Sequence, residues 1–291
     1  MPINDQVYDP KSGNIWVTVQ STGGAYANSI VAVDPSTGAI GTVIPMGAEP
    51  NNIRVTDDGQ FAYVDVPADG SIRRANLKTG VAGSIFALNI GGVSDIEAVP
   101  NSPHSFVVCT NPLEGVNTRV FDDGIPRNNT GAGGYDIKFA GTNTLMYGDG
   151  GNSLFVDTLT PTQINWTGQY NLNVTGFSYY NGLLYTAVPT VVDPIQKIVV
   201  ESIPTNDILT QNIVVALSSA DNRLYYLTWD FTHNKRIVSF DLSTYKEYSF
   251  IDTGDIPGGG LHLIACDNHV VAYRTYGYGV TPNLVIVRGL P

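Results

Sequence analysis

Seven stretches of the chain share one pattern of polar and hydrophobic positions. Each begins with polar residues, enters a short strand-like run, turns, and ends in a second apolar run with an aromatic or β-branched centre. NNIRVTDDGQFAYVDV (51–66) and VALSSADNRLYYLTW (215–229) are examples. Such runs are typical of paired strands. No stretch keeps an apolar 3.6-residue period over a helical length, so the pattern predicts a nearly all-β protein.

The seven stretches recur at the spacing of a repeat architecture. Their second positions are Asp5, Asn52, Asp95, Asp136, Gly176, Ala216 and His262. The intervals run from 40 to 47 residues, close to the period of four-stranded propeller blades. A third strand and a weaker fourth follow in most units, which is too many strands for a two-sheet sandwich. We therefore predict one seven-bladed β-propeller over residues 1–291, with antiparallel blades that begin near residues 4, 51, 94, 135, 175, 215 and 261.

The last unit is shorter than the others. It supplies three strands and then ends at Pro291, while only four residues precede Asp5. A propeller joins its first and last blades to remove free strand edges. We expect the last blade to lack its outer strand and the chain to be part of a longer multi-domain protein. A complete chain with one short blade is the alternative.

Charge and composition narrow the functional classes. The net charge is −11 and no basic stripe is present, which excludes a typical nucleic-acid binder. No segment has the length and apolarity of a membrane span, and the start MPINDQVYDP is not a signal peptide. The two cysteines, Cys109 and Cys266, lie in apolar runs far from each other. We expect two separate buried thiols.

Blades one and two carry several short signatures. These are the strand VAVD (31–34), the Thr-Gly turn (37–38), the triplet DDG (57–59) and the strand FAYV (61–64). Together they resemble the YVTN type of bacterial β-propeller repeat, although Asp65-Val66 stands where that motif has Thr-Asn. The resemblance implies a propeller in an extracellular or cell-surface bacterial setting. It implies no catalytic residues, since proteins of this type serve mainly as surface and binding modules.

The repeat predicts a polar ring at one mouth of the central channel. The innermost strand of every blade starts at the same face, so the second positions surround a common axis. The polar members are Asp5, Asn52, Asp95, Asp136 and His262. Carboxylate and amide oxygens suit a divalent cation such as calcium or magnesium. The alternative is a solvated channel whose polar side chains hold water and cap strand amides. Without a cation, neighbouring carboxylates should raise at least one pKa.

Aromatic residues fall into two groups. One column recurs in the second strand of each blade and is expected between the blades; it contains Trp16, Tyr63, Tyr147, Tyr185 and Tyr225. A second group is out of register and lies in or next to loops; it contains Tyr26, Trp166, Trp229, Tyr276 and Tyr278. Loop tyrosines and tryptophans stack on sugars or anchor protein partners.

Recognised catalytic motifs are absent from the sequence, including GxSxG, HExxH and the P-loop. We expect a non-enzymatic binding or scaffolding module, monomeric as an isolated domain, that recognises a protein or glycan through the loops of one face. The alternative is a cation-dependent lyase or hydrolase at the channel mouth, with His262 and either Asp5 or Glu49 as its acid–base pair. A spacer whose loops bind nothing is a third alternative.

Overall fold

The fold is a ring of seven antiparallel sheets. The computed structural model describes residues 1–88, 92–110, 118–131, 134–148, 153–172, 174, 176–204, 212–229, 235–254 and 256–290. These residues form six four-stranded sheets and one three-stranded sheet, each with its strands in chain order from the axis outward. The prediction of a seven-bladed propeller with a three-stranded last blade is therefore confirmed.

The strands of blades 1 to 3 are as follows. Blade 1 contains β1 (Ile3–Asp9), β2 (Asn14–Val19), β3 (Ser29–Val33) and β4 (Ile40–Pro45). Blade 2 contains β5 (Ile53–Val55), β6 (Phe61–Val66), β7 (Ser71–Asn76) and β8 (Val81–Ala87). Blade 3 contains β9 (Val93–Ala98), β10 (Ser105–Thr110), β11 (Arg119–Asp122) and β12 (Ile125–Pro126). Short 3₁₀ helices lie at Gly24–Tyr26 and Pro67–Asp69.

Blades 4 to 7 continue the same order. Blade 4 contains β13 (Asp136–Phe139), β14 (Thr144–Gly148), β15 (Ser153–Leu159) and β16 (Ile164–Asn171). Blade 5 contains β17 (Phe177–Tyr180), β18 (Leu183–Thr186), β19 (Thr190–Asp193) and β20 (Ile198–Ser202). Blade 6 contains β21 (Asn212–Ser218), β22 (Arg223–Trp229), β23 (Lys235–Asp241) and β24 (Glu247–Asp252). Blade 7 contains β25 (Gly259–Cys266), β26 (Val270–Tyr276) and β27 (Leu284–Val287).

The innermost strands close the ring. Each of them contacts the innermost strand of the next blade, and β1 contacts β25 of blade 7 as well as β5 of blade 2. The start of the chain also pairs with the segment just before β27, because the Ile3 amide donates to the Pro282 carbonyl at 2.9 Å. No helix in the described part of the chain has the length and apolarity to cross a membrane.

The hydrophobic core lies between neighbouring blades. Between blades 2 and 3, for example, Tyr63 packs on Phe106, which stacks on Phe121 with ring centroids 5.1 Å apart. The aromatic column predicted for the second strands is buried at Trp16, Tyr63, Tyr185 and Tyr225, whereas the side chain of Tyr147 lies outside the described residues. Outer strands such as β24 alternate between half-buried and exposed positions, as expected for a sheet with one wet face.

Turns after the third strand use a recurring Asx motif. In blade 1, Asp34 Oδ1 accepts the backbone N–H of Ser36 at 2.7 Å and of Thr37 at 3.2 Å. Asn76, Asp193 and Asp241 accept the corresponding pairs of amides in blades 2, 5 and 6. Such side chains replace a backbone acceptor in a tight turn, which explains why an acid or Asn ends these strands.

Candidate functional site

The loops that connect the strands lie on two opposite faces of the propeller. Loops that enter the innermost strands, and loops between second and third strands, gather where the innermost strands begin; we call this the mouth face. The turns between first and second strands, and between third and fourth strands, form the turn face. All five residues of the predicted polar ring lie at the mouth face or on the first residues of innermost strands.

Asp5 is the centre of the first half of the ring. Its side chain is 1% exposed, and His262 Nδ1 lies 2.5 Å from Asp5 Oδ1. Arg54 donates to Asp5 Oδ2 from 2.8 Å. The Ile53 amide donates to the same oxygen from 3.0 Å. The carboxylate therefore connects blades 7, 1 and 2.

A second half of the ring continues through blades 3 and 4. Arg54 also reaches Asp95 Oδ1, at 2.5 Å, so its guanidinium bridges two carboxylates. Lys138 Nζ lies 2.6 Å from Glu97 Oε1 and 4.0 Å from Asp95 Oδ2. Asp136 lies at the start of β13, next to this group. We call the connected set the mouth network; its members are Asp5, Arg54, Asp95, Glu97, Asp136, Lys138 and His262.

Three members of the mouth network were missed from the sequence. Arg54, Glu97 and Lys138 lie on innermost strands, and each follows a predicted ring position by two residues. Residues i and i+2 of a strand point to the same side, so these side chains also face the axis. The period-two rule, applied to the ring positions, is the signal that would have found them.

The charged groups of the mouth network shift one another's pKa values. Burial opposes the charge on Asp5, but attraction to His262 and Arg54 outweighs it and holds the pKa of this carboxyl well below its usual value. Burial likewise opposes the charge on Arg54 and Lys138, yet the surrounding carboxylates raise the pKa of both groups. The pKa of Asp136 is raised, first by burial and then by the nearby charge of Asp95. Burial is the larger cause, and the Asp95 charge adds to it in the direction expected for neighbouring carboxylates.

Several ring residues also tie neighbouring blades together. Asp95 Oδ2 accepts the Ile137 amide of blade 4 at 3.1 Å, as Asp5 accepts the amide of Ile53 in blade 2. Asn52 Nδ2 donates to the Ser94 carbonyl of blade 3 at 3.4 Å. The first two bonds give buried strand amides an acceptor, and the third gives a backbone carbonyl a donor. The ring is thus part of the closure of the propeller.

The guanidinium of Arg54 lies where the sequence predicted a bound metal cation. Arg54 lies between Asp5 and Asp95 and contacts both carboxylates. Among the described residues, no group of three or more His, Cys, Asp or Glu side chains is arranged to hold a metal ion. Calcium or magnesium at this position would need Arg54 to move away.

His262 is the most exposed polar group of the network. Its side chain is 41% exposed, and its backbone is left-handed, with φ of 51°. An ionised carboxylate can only accept, so the Nδ1–H of His262 donates to Asp5, and Nε2 is the ring nitrogen left for another partner. No described residue hydrogen-bonds to Nε2. Glu49, the other predicted partner of this imidazole, instead accepts hydrogen bonds from Ser21.

The loop aromatics separate into different environments. Tyr276 closes β26 and is 57% exposed, and Tyr278 in the following loop is fully exposed. Tyr26 lies in the corresponding loop of the adjacent blade 1, half-buried against the core between blades 7 and 1. The three tyrosines therefore share one sector of the mouth face. Trp166 is 63% exposed, but it lies on the outer strand β16 of blade 4.

Trp229 belongs to the core instead of the surface. It is the last residue of β22, is 9% exposed and packs between blades 6 and 7. The facing strand supplies Gly259, where a Cβ would lie 2.7 Å from Trp229 Nε1. The absence of a side chain at that glycine makes room for the indole. The sequence of blade 6 alone does not show this, because the glycine belongs to blade 7.

Comparison with known proteins identifies the fold and no more. No family model matches the chain, and no curated protein matches it. A solved structure of Kuenenia stuttgartiensis hydrazine synthase is similar, with a TM-score of 0.70 and 15% identity. The similarity covers 99% of this chain and 95% of that chain. At this sequence identity, the structural similarity shows a shared β-propeller fold. The YVTN-type resemblance rests only on the short signatures in blades one and two.

Proposed function

We propose that the protein is a non-enzymatic binding module that recognises a protein or glycan through the mouth-face loops of blades 7 and 1. The observation that carries the proposal is Tyr278, which is fully exposed at a loop flanked by Gly277 and Gly279. Tyr276 is exposed beside it. Tyrosines bury a large area with few rotatable bonds, which suits them to anchor a partner.

The mouth network supports a binding role for this face. Its carboxylates are bridged by Arg54 and Lys138, so this part of the mouth face is pre-organised by contacts within the protein. A rigid surface loses less entropy when a partner binds than a mobile one does. The proposal includes the extracellular or cell-surface setting that the YVTN-type resemblance implies, which fractionation of the native source would test.

The decisive experiment compares two sets of exposed tyrosines. Wild type is screened on a glycan array and against a phage-displayed random-peptide library. The double variant Tyr276→Ala/Tyr278→Ala should lose the hits obtained. Tyr248→Ala is the control, because Tyr248 is 58% exposed but lies on the outer strand β24.

Glycan hits would identify a lectin-like module, and peptide hits would identify a protein-binding one. An absence of hits on both platforms would contradict the proposal. Hits that survive the double variant would also contradict it, because they would place the binding surface elsewhere.

The pair Asp5 and His262 favours a second candidate function, a lyase or hydrolase at the channel mouth. A buried carboxylate orients the imidazole and leaves Nε2 exposed, an arrangement suited to proton transfer. A panel of polysaccharides and lactones would be assayed for turnover with and without EDTA. Turnover abolished in His262→Gln would support this function over simple binding. Loss of turnover in EDTA would show that a cation takes part despite Arg54.

A further inference from the structure

A second recess lies on the turn face, away from the mouth network. It is a pocket of about 350 Å³ between blades 1 and 2. Its walls come from the first turn and outer strands of blade 1 and from both turns of blade 2. A pocket of this volume, at the lower end of the usual range for small-molecule sites, suits a ligand the size of one sugar ring.

Small residues keep this pocket open. Ala32 on β3 and Gly41 on β4 line one wall, where larger side chains would fill the space. Gly59 lets the blade 2 turn approach blade 1, since a Cβ at Gly59 would lie 2.7 Å from the Cβ of Lys11. The blades are thus close at one edge and separated above it. The floor is apolar and is formed by Trp16 and Leu77, which both belong to the core between the two blades.

The indole of Trp16 has an unused donor at this floor. Trp16 is 3% exposed, and its Nε1 has no hydrogen-bond acceptor among the described residues. A buried donor without an acceptor lowers stability by about 1–3 kcal/mol, so native structures rarely leave one unpaired. Because Nε1 is closed to solvent, a ligand oxygen could accept from it only if the floor of the pocket shifts.

The pocket carries two lysines beside its two carboxylates, Asp9 and Asp58, although the protein as a whole is strongly acidic. Lys11 from blade 1 and Lys78 from blade 2 both line it, and these are two of the six lysines in the chain. Neither ammonium group has a carboxylate of the described residues within 4.0 Å, whereas Lys138 at the mouth pairs with Glu97. With a net charge of −11, an anion is repelled by most of the surface, so a pair of free lysines is a selective feature.

The two carboxylates of the pocket are engaged in their own turns. Asp9 accepts the Lys11 amide at 2.9 Å and the Ser12 hydroxyl at 2.6 Å. Asp58 accepts the hydroxyl of Thr56 at 2.6 Å and the amide of Gln60 at 2.9 Å. Both oxygens of Asp9 and Oδ1 of Asp58 are therefore occupied within their own turns. Against the effect of burial, the Thr56 and Gln60 hydrogen bonds and the charge of Lys78 lower the pKa of Asp58, but the two lysines form no ion pair within 4.0 Å among the described residues.

We propose that this interblade pocket binds a monosaccharide-sized anion, a sugar acid or a sugar phosphate. The anionic group would lie between Lys11 and Lys78, and the less polar face of the ring would lie on Trp16 and Leu77. The hydroxyl of Thr42 and the amide of Asn14 line the same space and suit the remaining sugar hydroxyls. The site is separate from the mouth face and does not depend on the function proposed for it.

The test is isothermal titration of the whole chain with glucuronate, glucose 6-phosphate, glucose and inorganic phosphate. Saturable binding is expected for the two sugar anions, weaker binding for phosphate and little for glucose. Lys11→Gln/Lys78→Gln should weaken sugar-anion binding by at least about tenfold, since each lysine supplies a charge-assisted contact. Lys246→Gln is the control, because Lys246 is an exposed lysine after the third strand of blade 6.

Gly41→Leu tests the location by filling the pocket. Gly41 has no left-handed φ, and its Cβ would meet only Ala32 at ordinary contact distances, so the change should not unfold the blade. It should abolish binding, whereas the Tyr276→Ala/Tyr278→Ala variant of the opposite face should bind normally.

Three results would overturn the proposal: no saturable heat for either sugar anion at millimolar concentration, equal affinity for glucose and glucuronate, or unchanged affinity in the double lysine variant. If Gly41→Leu fails to fold, the lysine variants still decide the question. A preference for glucuronate over glucose 6-phosphate, or the reverse, identifies which kind of sugar anion the pocket takes.

Discussion

Asp65 is a buried carboxyl whose titration should shape the pH dependence of stability. It lies near the end of β6, is 2% exposed, and receives a side-chain hydrogen bond from Asn51 Nδ2 at a long 3.4 Å. It stands at the position where the YVTN-type motif has Thr. Burial raises the pKa of Asp65 to about 7, with the Asn51 bond acting weakly in the opposite direction.

The magnitude follows from the difference between the folded and unfolded states. The ordinary pKa of 3.8 and the folded value of about 7 differ by roughly three units, or about 4 kcal/mol. Between about pH 4 and pH 7 the unfolded chain has released this proton while the folded chain keeps it. The free energy of unfolding should therefore fall as pH rises through this window, by up to about 4 kcal/mol.

The perturbation is Asp65→Asn, which keeps the shape and the acceptor for Asn51 but removes the titration. The free energy of unfolding is measured by urea denaturation from pH 4 to pH 8 for wild type and variant. We expect similar stability at pH 4 and a variant more stable by up to about 4 kcal/mol at pH 8. Asp69→Asn is the control for removing a carboxylate from the same blade, since Asp69 is exposed.

Comparing the two proteins isolates Asp65 from the other carboxyls. The raised pKa of Asp136 acts in the same direction in both proteins, and the lowered pKa of Asp5 matters only below about pH 4. A difference between wild type and variant that stays constant with pH would refute the reasoning. A variant less stable than wild type at pH 8 would also refute it.

Three further outcomes follow from the contacts. Arg54→Ala should lower the free energy of unfolding in urea by about 3–5 kcal/mol, because it leaves buried carboxylates without their cationic partner. Calcium should raise the melting temperature of this variant more than that of wild type. Cys109 and Cys266 should not react with a thiol reagent at pH 8 until the protein is unfolded in urea, since burial raises their pKa values to about 11 and about 12. Gly258→Ala should lower stability in urea denaturation by at least about 1–3 kcal/mol, because φ is 82° and a Cβ would collide with the Tyr276 carbonyl.

The repeat predicted the architecture well because each blade encodes its own strands. Hydrophobic alternation and turn residues are local signals, and they recur at a period that only a few folds use. The repeat placed the first residue of the innermost strand less accurately in the last two blades. In blade 6 the structure begins β21 at Asn212, and in blade 7 it begins β25 at Gly259, each a few residues before the start expected from the pattern. Hydrogen bonding to the neighbouring strand extends these strands beyond the polar residues at which the pattern begins. A pattern of apolar positions cannot show that extension.

Contacts between blades are the part that the sequence could not supply. Trp229 looked like a loop aromatic because it is out of register with the aromatic column and lies next to a loop, yet Gly259 of the next blade leaves room for its indole. The pocket beside Trp16 has the same origin, since Gly59 of blade 2 decides how closely that blade approaches blade 1. Both features depend on a small residue about 30 to 43 positions away, with no local signal at either end.

The mouth network shows how such a contact can change a chemical interpretation. A ring of Asp5, Asp95 and Asp136 alone favours a bound cation, since like charges repel in a low-dielectric site. Arg54 meets that requirement within the chain, and it does so from the position two residues after Asn52. A ring whose carboxylates are bridged by Arg54 and Lys138 has less electrostatic need for a metal ion. The groups left for a ligand at this face are Nε2 of His262 and the exposed Tyr276 and Tyr278, so recognition here should depend on aromatic and hydrogen-bonding contacts more than on charge.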